Sequence, residues 1–163
     1  MSVLGWCQWL EQTRLATAIS ESVWLFPIIE GSHILALPLS VGMIFLFDLR
    51  LLGLAFQGGS ASRMMRDVVR WSKFGFAVMF FTGALLFMTQ ASKAYDNVFF
   101  RTKLMLILLL GLNAAMFQIV FYPKMAQWEA GGRTPLGARV CGGLSLLVWI
   151  GVIICGRTMA YQL

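Results

Sequence analysis

Glu30-Gly31-Ser32-His33 places a carboxylate and an imidazole three residues apart in the first long apolar stretch of the chain, and His33 is its single histidine. On an α-helix that spacing puts both groups on one face. Ionisable side chains at membrane depth are costly, so such a pair marks a functional site by default. Two chemistries suit it. A neutral imidazole nitrogen is an axial ligand for haem iron, while the other ring nitrogen donates to an acceptor that fixes the tautomer. A carboxylate one turn away can orient a neighbouring group, tune the charge of the site, or relay protons. The plainer reading is a kinked packing helix in which Glu30 and His33 satisfy each other.

Non-covalent haem b is the sharpest redox candidate, with His33 as the metal ligand. The position opposite the imidazole is then a methionine, a second His33 across a symmetric dimer, or open. Arg50 and Arg157, expected on opposite membrane sides, are each able to pair with a propionate. Asn113, near the middle of an apolar run, must find a partner for its amide, and a His33–Asn113 hydrogen bond is the cofactor-free alternative. Thr82 and Thr89 share a helix face and are able to complete such a site, although such residues more often simply bridge helices.

Other metal chemistry finds less support. The chain lacks C-x-x-C-H, which excludes covalent c-type haem. Cys7, Cys141 and Cys155 have no zinc-ligand spacing. Cys141 and Cys155 lie on one expected helix, too far apart to bridge. One Glu-x-x-His is half of a di-iron bundle signature, which needs two such motifs and two further glutamates, and a chain with one histidine cannot supply them. Ten scattered methionines give copper handling no particular support.

The elements that position these residues are set by lipid. Hydrophobic residues make up 59% of the 163 and charged ones 12%, about half the charge of a soluble domain. The length allows about four spans of about 20 residues with short loops, and 1–163 reads as a single transmembrane domain. Spans are expected at about 23–47, 74–88, 104–122 and 140–156, each bracketed by Arg or Lys. Gln57–Ser62 and Glu129–Pro135 have turn composition. Short connections make neighbours antiparallel. The expected fold is an all-α membrane protein, an up-down four-transmembrane-helix bundle with a short N-terminal interfacial helix. Residues 2–20 lack the basic start and smooth apolar run of a signal peptide; Val3, Trp6 and Leu10 cluster on one side instead. The net charge of +6 fits basic loops at an anionic membrane surface and gives no sign of nucleic-acid binding.

The first span carries two stripes. Gly31, Leu35, Pro38 and Gly42 lie on one side; Glu30, His33, Ser40 and Asp48 lie away from it. Pro38 leaves the Ile34 carbonyl without its usual partner. Small residues permit close helix crossing, so a homo-oligomer is expected through Gly31 and Gly42, or through Gly142 and Gly143 with Gly151. For orientation, Arg50, Arg63, Arg66, Arg70, Lys73, Lys124, Arg133 and Arg139 flank one side. Arg14, Lys93, Arg101, Lys103 and Arg157 flank the other. The richer side stays cytoplasmic, which puts both termini in the periplasm.

Trp24-Leu25-Phe26-Pro27-Ile28-Ile29-Glu30, His33, Gly42 and Asp48-Leu49-Arg50-Leu51-Leu52-Gly53 resemble a bacterial family of small four-span inner-membrane proteins of unknown function. Phe100 with Lys103, Asn113, and Gly156-Arg157 with Ala160-Tyr161 extend the likeness over nearly the whole chain. The resemblance implies a fold and a set of polar positions, not an activity. Three functional classes follow. The first is a membrane redox subunit that binds haem b or exchanges electrons with quinone near His33. The second is a structural or assembly subunit of a larger complex, and the third a small proton-relay or permeation bundle. None requires the chain to be an enzyme on its own.

Overall fold

A computed structural model describes residues 2–161. In chain order its helices are α1 (Val3–Glu11), α2 (Arg14–Glu21), α3 (Leu25–Leu52), α4 (Ala61–Thr89), α5 (Ala91–Asp96), α6 (Val98–Ala130) and α7 (Leu136–Ala160). No strand occurs among the described residues. Four of the helices, α3, α4, α6 and α7, have 28, 29, 33 and 25 residues and are apolar enough to cross a membrane. The fold is the expected all-α bundle of a multi-pass membrane protein.

The long helices exceed the expected spans because basic ends ride on helix rather than loop. Arg63, Arg66, Arg70 and Lys73 all lie within the first half of α4. The N-terminal segment is two helices, not one. It breaks at Gln12 and Thr13, where the Thr13 side chain accepts from the Ala16 amide at 3.3 Å and caps α2. Glu11 accepts from the amide and hydroxyl of Ser92 at 2.8 and 3.0 Å, which ties α1 to α5. Trp6 and Trp9 stay exposed, as suits side chains at a membrane interface.

α3 and α7 form the inner pair, with α4 against α3 and α6 against α7. α4 and α6 meet chiefly near their ends. Phe87 stacks on Phe100 at one end, and the start of α4 meets the last turn of α6 at the other. Pro38 does not break α3; the chain absorbs it as one π-helical turn, Pro38–Gly42. Within that turn Ser40 is fully buried, and its carbonyl accepts from the Ser72 hydroxyl at 2.9 Å. A Cβ at Gly75 would lie 2.6 Å from the Ser40 nitrogen. Only glycine allows α4 to cross α3 this closely. Likewise, a Cβ at Gly142 would lie 3.3 Å from the Asp48 carbonyl oxygen, so this glycine sets the α3–α7 crossing.

These crossings bear on the two small-residue faces. Gly142, Gly143 and Gly151 pack against Leu51, Leu52 and Leu106 inside the protomer. The face with Gly31, Leu35 and Pro38 is left open: Leu35 and Pro38 are exposed, and nothing approaches Gly31.

Candidate functional site

The polar side chains inside the bundle gather in three places along its length. At one end, His33 of α3 meets Thr82 of α4 with Nδ1 and Oγ1 2.9 Å apart. The Thr82 hydroxyl also lies 2.7 Å from the Val78 carbonyl, one turn back along α4, and a hydroxyl has one proton to donate. With that proton directed to Val78, Thr82 Oγ1 accepts from His33, so the network assigns the imidazole proton to Nδ1. The Met79 carbonyl, next in sequence to Val78, also accepts from the His33 ring, and with Nδ1 protonated the lone pair lies on Nε2. Gly83 makes room for the ring: a Cβ there would lie 3.2 Å from His33 Cε1. His33 is half-buried.

Lys103 of α6 belongs to the same end. It lies within electrostatic reach of His33 and of Cys155. Its stem runs along Gly156, where a Cβ would sit 3.4 Å from Nζ and 3.8 Å from Cε. No carboxylate pairs with Lys103 among the described residues. Arg157, next in sequence, stacks its guanidinium 5.1 Å over the Tyr161 ring. This end therefore offers an imidazole nitrogen, an inward ammonium and an outer guanidinium.

Glu30 does not join them. It is exposed, and no hydrogen bond or ion pair joins it to His33 among the described residues; the imidazole turns to α4 instead. The expected mutual satisfaction of the two side chains gives way to the bond with Thr82. Thr82 is buried at this contact, whereas Thr89 bonds the carbonyl of Leu86 in its own helix at 2.8 Å.

A second group lies deeper in the bundle. Asn113 Nδ2 donates to the Cys141 carbonyl at 3.0 Å, not to His33, and Asn113 Oδ1 is buried without a partner among the described residues. One turn along α7, Ser145 faces the Asp48 carboxyl group, whose Oδ2 is likewise buried and has no hydrogen-bond partner among the described residues. Asp48 and Asn113 are 4% and 8% exposed. α3 and α6 thus each present a polar side chain to one turn of α7.

Arg50 anchors the opposite end. Its guanidinium donates to the carbonyls of Phe56, Gly58 and Gly59, the last at 2.6 Å. It also lies 3.9 Å from Glu129. Glu129 in turn accepts from the Ala61 amide and from Ser62 Oγ at 3.1 Å, which caps α4. Arg50 is engaged by the α3–α4 connection and sits away from His33. Arg157 alone of the two arginines shares the histidine's end.

Sequence reasoning named Thr82 among the residues able to complete the site without pairing it with His33, and it missed two contributors: Lys103 as the cation beside His33, and Ser145 as the partner of Asp48. A lysine followed by an unbroken apolar run from Leu104 to Leu110, with a Gly-Arg pair ending the last span, was the signal for Lys103.

The model of a family of unknown function (DUF6644) matches residues 18–162. The chain belongs to this family. No curated protein and no solved structure matches it. The family model begins within α2, so it takes in all four long helices and every site residue named above.

Proposed function

We propose that this DUF6644 protein is an integral membrane redox subunit in which His33 serves as an axial ligand to a b-type haem. The observation that carries the reading is the chain His33 Nδ1, Thr82 Oγ1, Val78 carbonyl. Histidines that bind metals nearly always donate their second ring nitrogen to an acceptor, which fixes tautomer and ring orientation. His33 has that arrangement, and its Nε2 is the free ligand. Lys103 and Arg157 then supply positive charge for the propionates. Haem, when bound, supplies one-electron chemistry; His33 holds the iron, Thr82 orients the imidazole and Lys103 pairs with an anionic edge. Arg50 and Asn113, engaged by the loop carbonyls and by Cys141, support the bundle rather than the cofactor.

The ammonium of Lys103 beside the imidazole favours one further reading. A cation near an iron ligand opposes the charge of ferric iron, but it suits the carbonyl oxygen of a quinone headgroup, to which Lys103 donates. In both readings electrons pass to a redox partner in a larger membrane complex, and neither reading requires the chain to be an enzyme on its own. The open face at Gly31, Leu35 and Pro38 supports a homo-oligomer. The sequence resemblance supports a bacterial inner-membrane location, and the basic asymmetry an orientation with both termini periplasmic and the Arg50 end cytoplasmic.

The visible spectrum of protein purified after expression with ample haem tests this. A Soret band that shifts on reduction and is lost in a folded His33→Ala variant supports haem. Co-extracted quinone with no Soret band supports the quinone reading. With neither, the redox reading fails and the assembly-subunit reading takes its place, with proton flux in liposomes separating it from a proton-relay bundle.

A further inference from the structure

Between α4 and α6, toward the Arg50 end, the bundle is not closed. A groove of about 400 Å³ opens there, lined by Met65, Arg66, Val69 and Lys73 of α4 and Gln118 and Tyr122 of α6. Its charge is one-sided. Arg66 and Lys73 are seven residues apart, two turns on one face of α4, and no carboxylate lines the groove. Neither cation is paired with a carboxylate among the described residues. Gln118 and Tyr122, one turn apart on α6, add an amide and a phenol as donors. The floor is apolar, with Met65 and Val69.

The setting points to lipid rather than to a solute. Phe74 and Ile119, next in sequence to the lining residues Lys73 and Gln118, are 60% and 75% exposed and apolar. They are exposed on the same two apolar helices, which suits a groove beside lipid hydrocarbon. A guanidinium matches a phosphate with two parallel hydrogen bonds, and an ammonium adds a point charge. Basic pockets between transmembrane helices suit anionic headgroups for this reason.

We propose that this groove binds one anionic glycerophospholipid, its phosphate held by Arg66 and Lys73 and its headgroup by Gln118 and Tyr122. The bound lipid fills the gap that α4 and α6 leave between them. The site is independent of His33 and of any cofactor there.

The test is thermal unfolding of the full chain in neutral detergent with added phosphatidylglycerol, phosphatidylcholine or inorganic phosphate. Phosphatidylglycerol is expected to raise the midpoint in a saturable way, and the other two are not. Arg66→Gln with Lys73→Gln should weaken the effect at least tenfold. Arg63→Gln with Lys124→Gln, an equal loss of charge outside the groove, should leave it intact. Equal shifts with both lipids, equal loss in both double variants, or a matching shift with inorganic phosphate would each overturn the proposal. Should the groove variant fail to fold, a photoreactive phosphatidylglycerol on wild-type protein decides. Labels on the Met65–Lys73 and Gln118–Tyr122 peptides support the site, and labels elsewhere reject it.

Discussion

Replacing Gly75 by alanine tests whether the α3–α4 crossing is as tight as the structure makes it. The new Cβ would lie 2.6 Å from the Ser40 nitrogen and 2.9 Å from its Cα and Cβ. The obstacle is mostly backbone, which cannot rotate away, so the helices must part. Overpacking of this kind costs about 1–3 kcal/mol. Alanine also gains about 1 kcal/mol in helix propensity over glycine, which would obscure the result in a single variant. Gly111→Ala on α6 supplies the control, since nothing lies within 4 Å of its would-be Cβ. The propensity gain is common to both, so their difference isolates the clash. At about 2–4 °C per kcal/mol for a chain of this size, Gly75→Ala should melt roughly 2 to 12 °C below Gly111→Ala. Cys7 and Cys141 are buried free thiols, so a fluorogenic thiol reagent reports the unfolding directly. Equal midpoints, or a lower one for Gly111→Ala, would refute the close crossing and with it the contact that sets His33 against α4.

Asn113→Leu should lower stability by less than about 1 kcal/mol, because losing the bond to Cys141 is offset by removing a buried acceptor with no partner. A loss above about 2 kcal/mol in the same melt would mean that Oδ1 serves a partner. For topology, a cysteine at Gly58 in a Cys155→Ser background should resist an impermeant thiol reagent in intact cells and react after permeabilisation; reaction in intact cells would reverse the orientation. Gly31 faces open space, so Gly31→Leu should shift the detergent-solubilised protein to a smaller species if that face joins subunits. An unchanged, folded oligomer would remove the face from the interface.

Much of the fold was legible because lipid leaves the sequence few options. Four apolar runs bracketed by Arg and Lys read directly as four helices. Their ends did not, since Arg63, Arg66 and Arg70 look like loop charges yet are good helix formers beyond the bilayer core. The polar face of α3 was legible in part. His33, Ser40 and Asp48 all turn toward neighbouring helices, as their spacing requires, but Glu30 does not. Periodicity fixes which residues share a helix face; only packing decides which of them a neighbour covers. Thr82 and Ser145 were unreadable as partners for the same reason, as each meets its partner across a helix pair far apart in sequence. Arg50 and Glu129 show a related limit, since residues in the Asp48–Gly53 motif and in a turn-like stretch together close one end of the bundle.

Whether His33 offers a free Nε2 can be measured directly, because the chain has one histidine. Protein labelled with ¹⁵N-histidine gives a single imidazole pair in solid-state NMR, and the shifts of the two nitrogens identify the protonated one. Protein prepared without haem at neutral pH should show a protonated Nδ1 and an unprotonated Nε2, and Thr82→Val should weaken that preference. A protonated Nε2 with a bare Nδ1 in the wild type would contradict the assignment and leave His33 without the ligand geometry on which the redox reading depends.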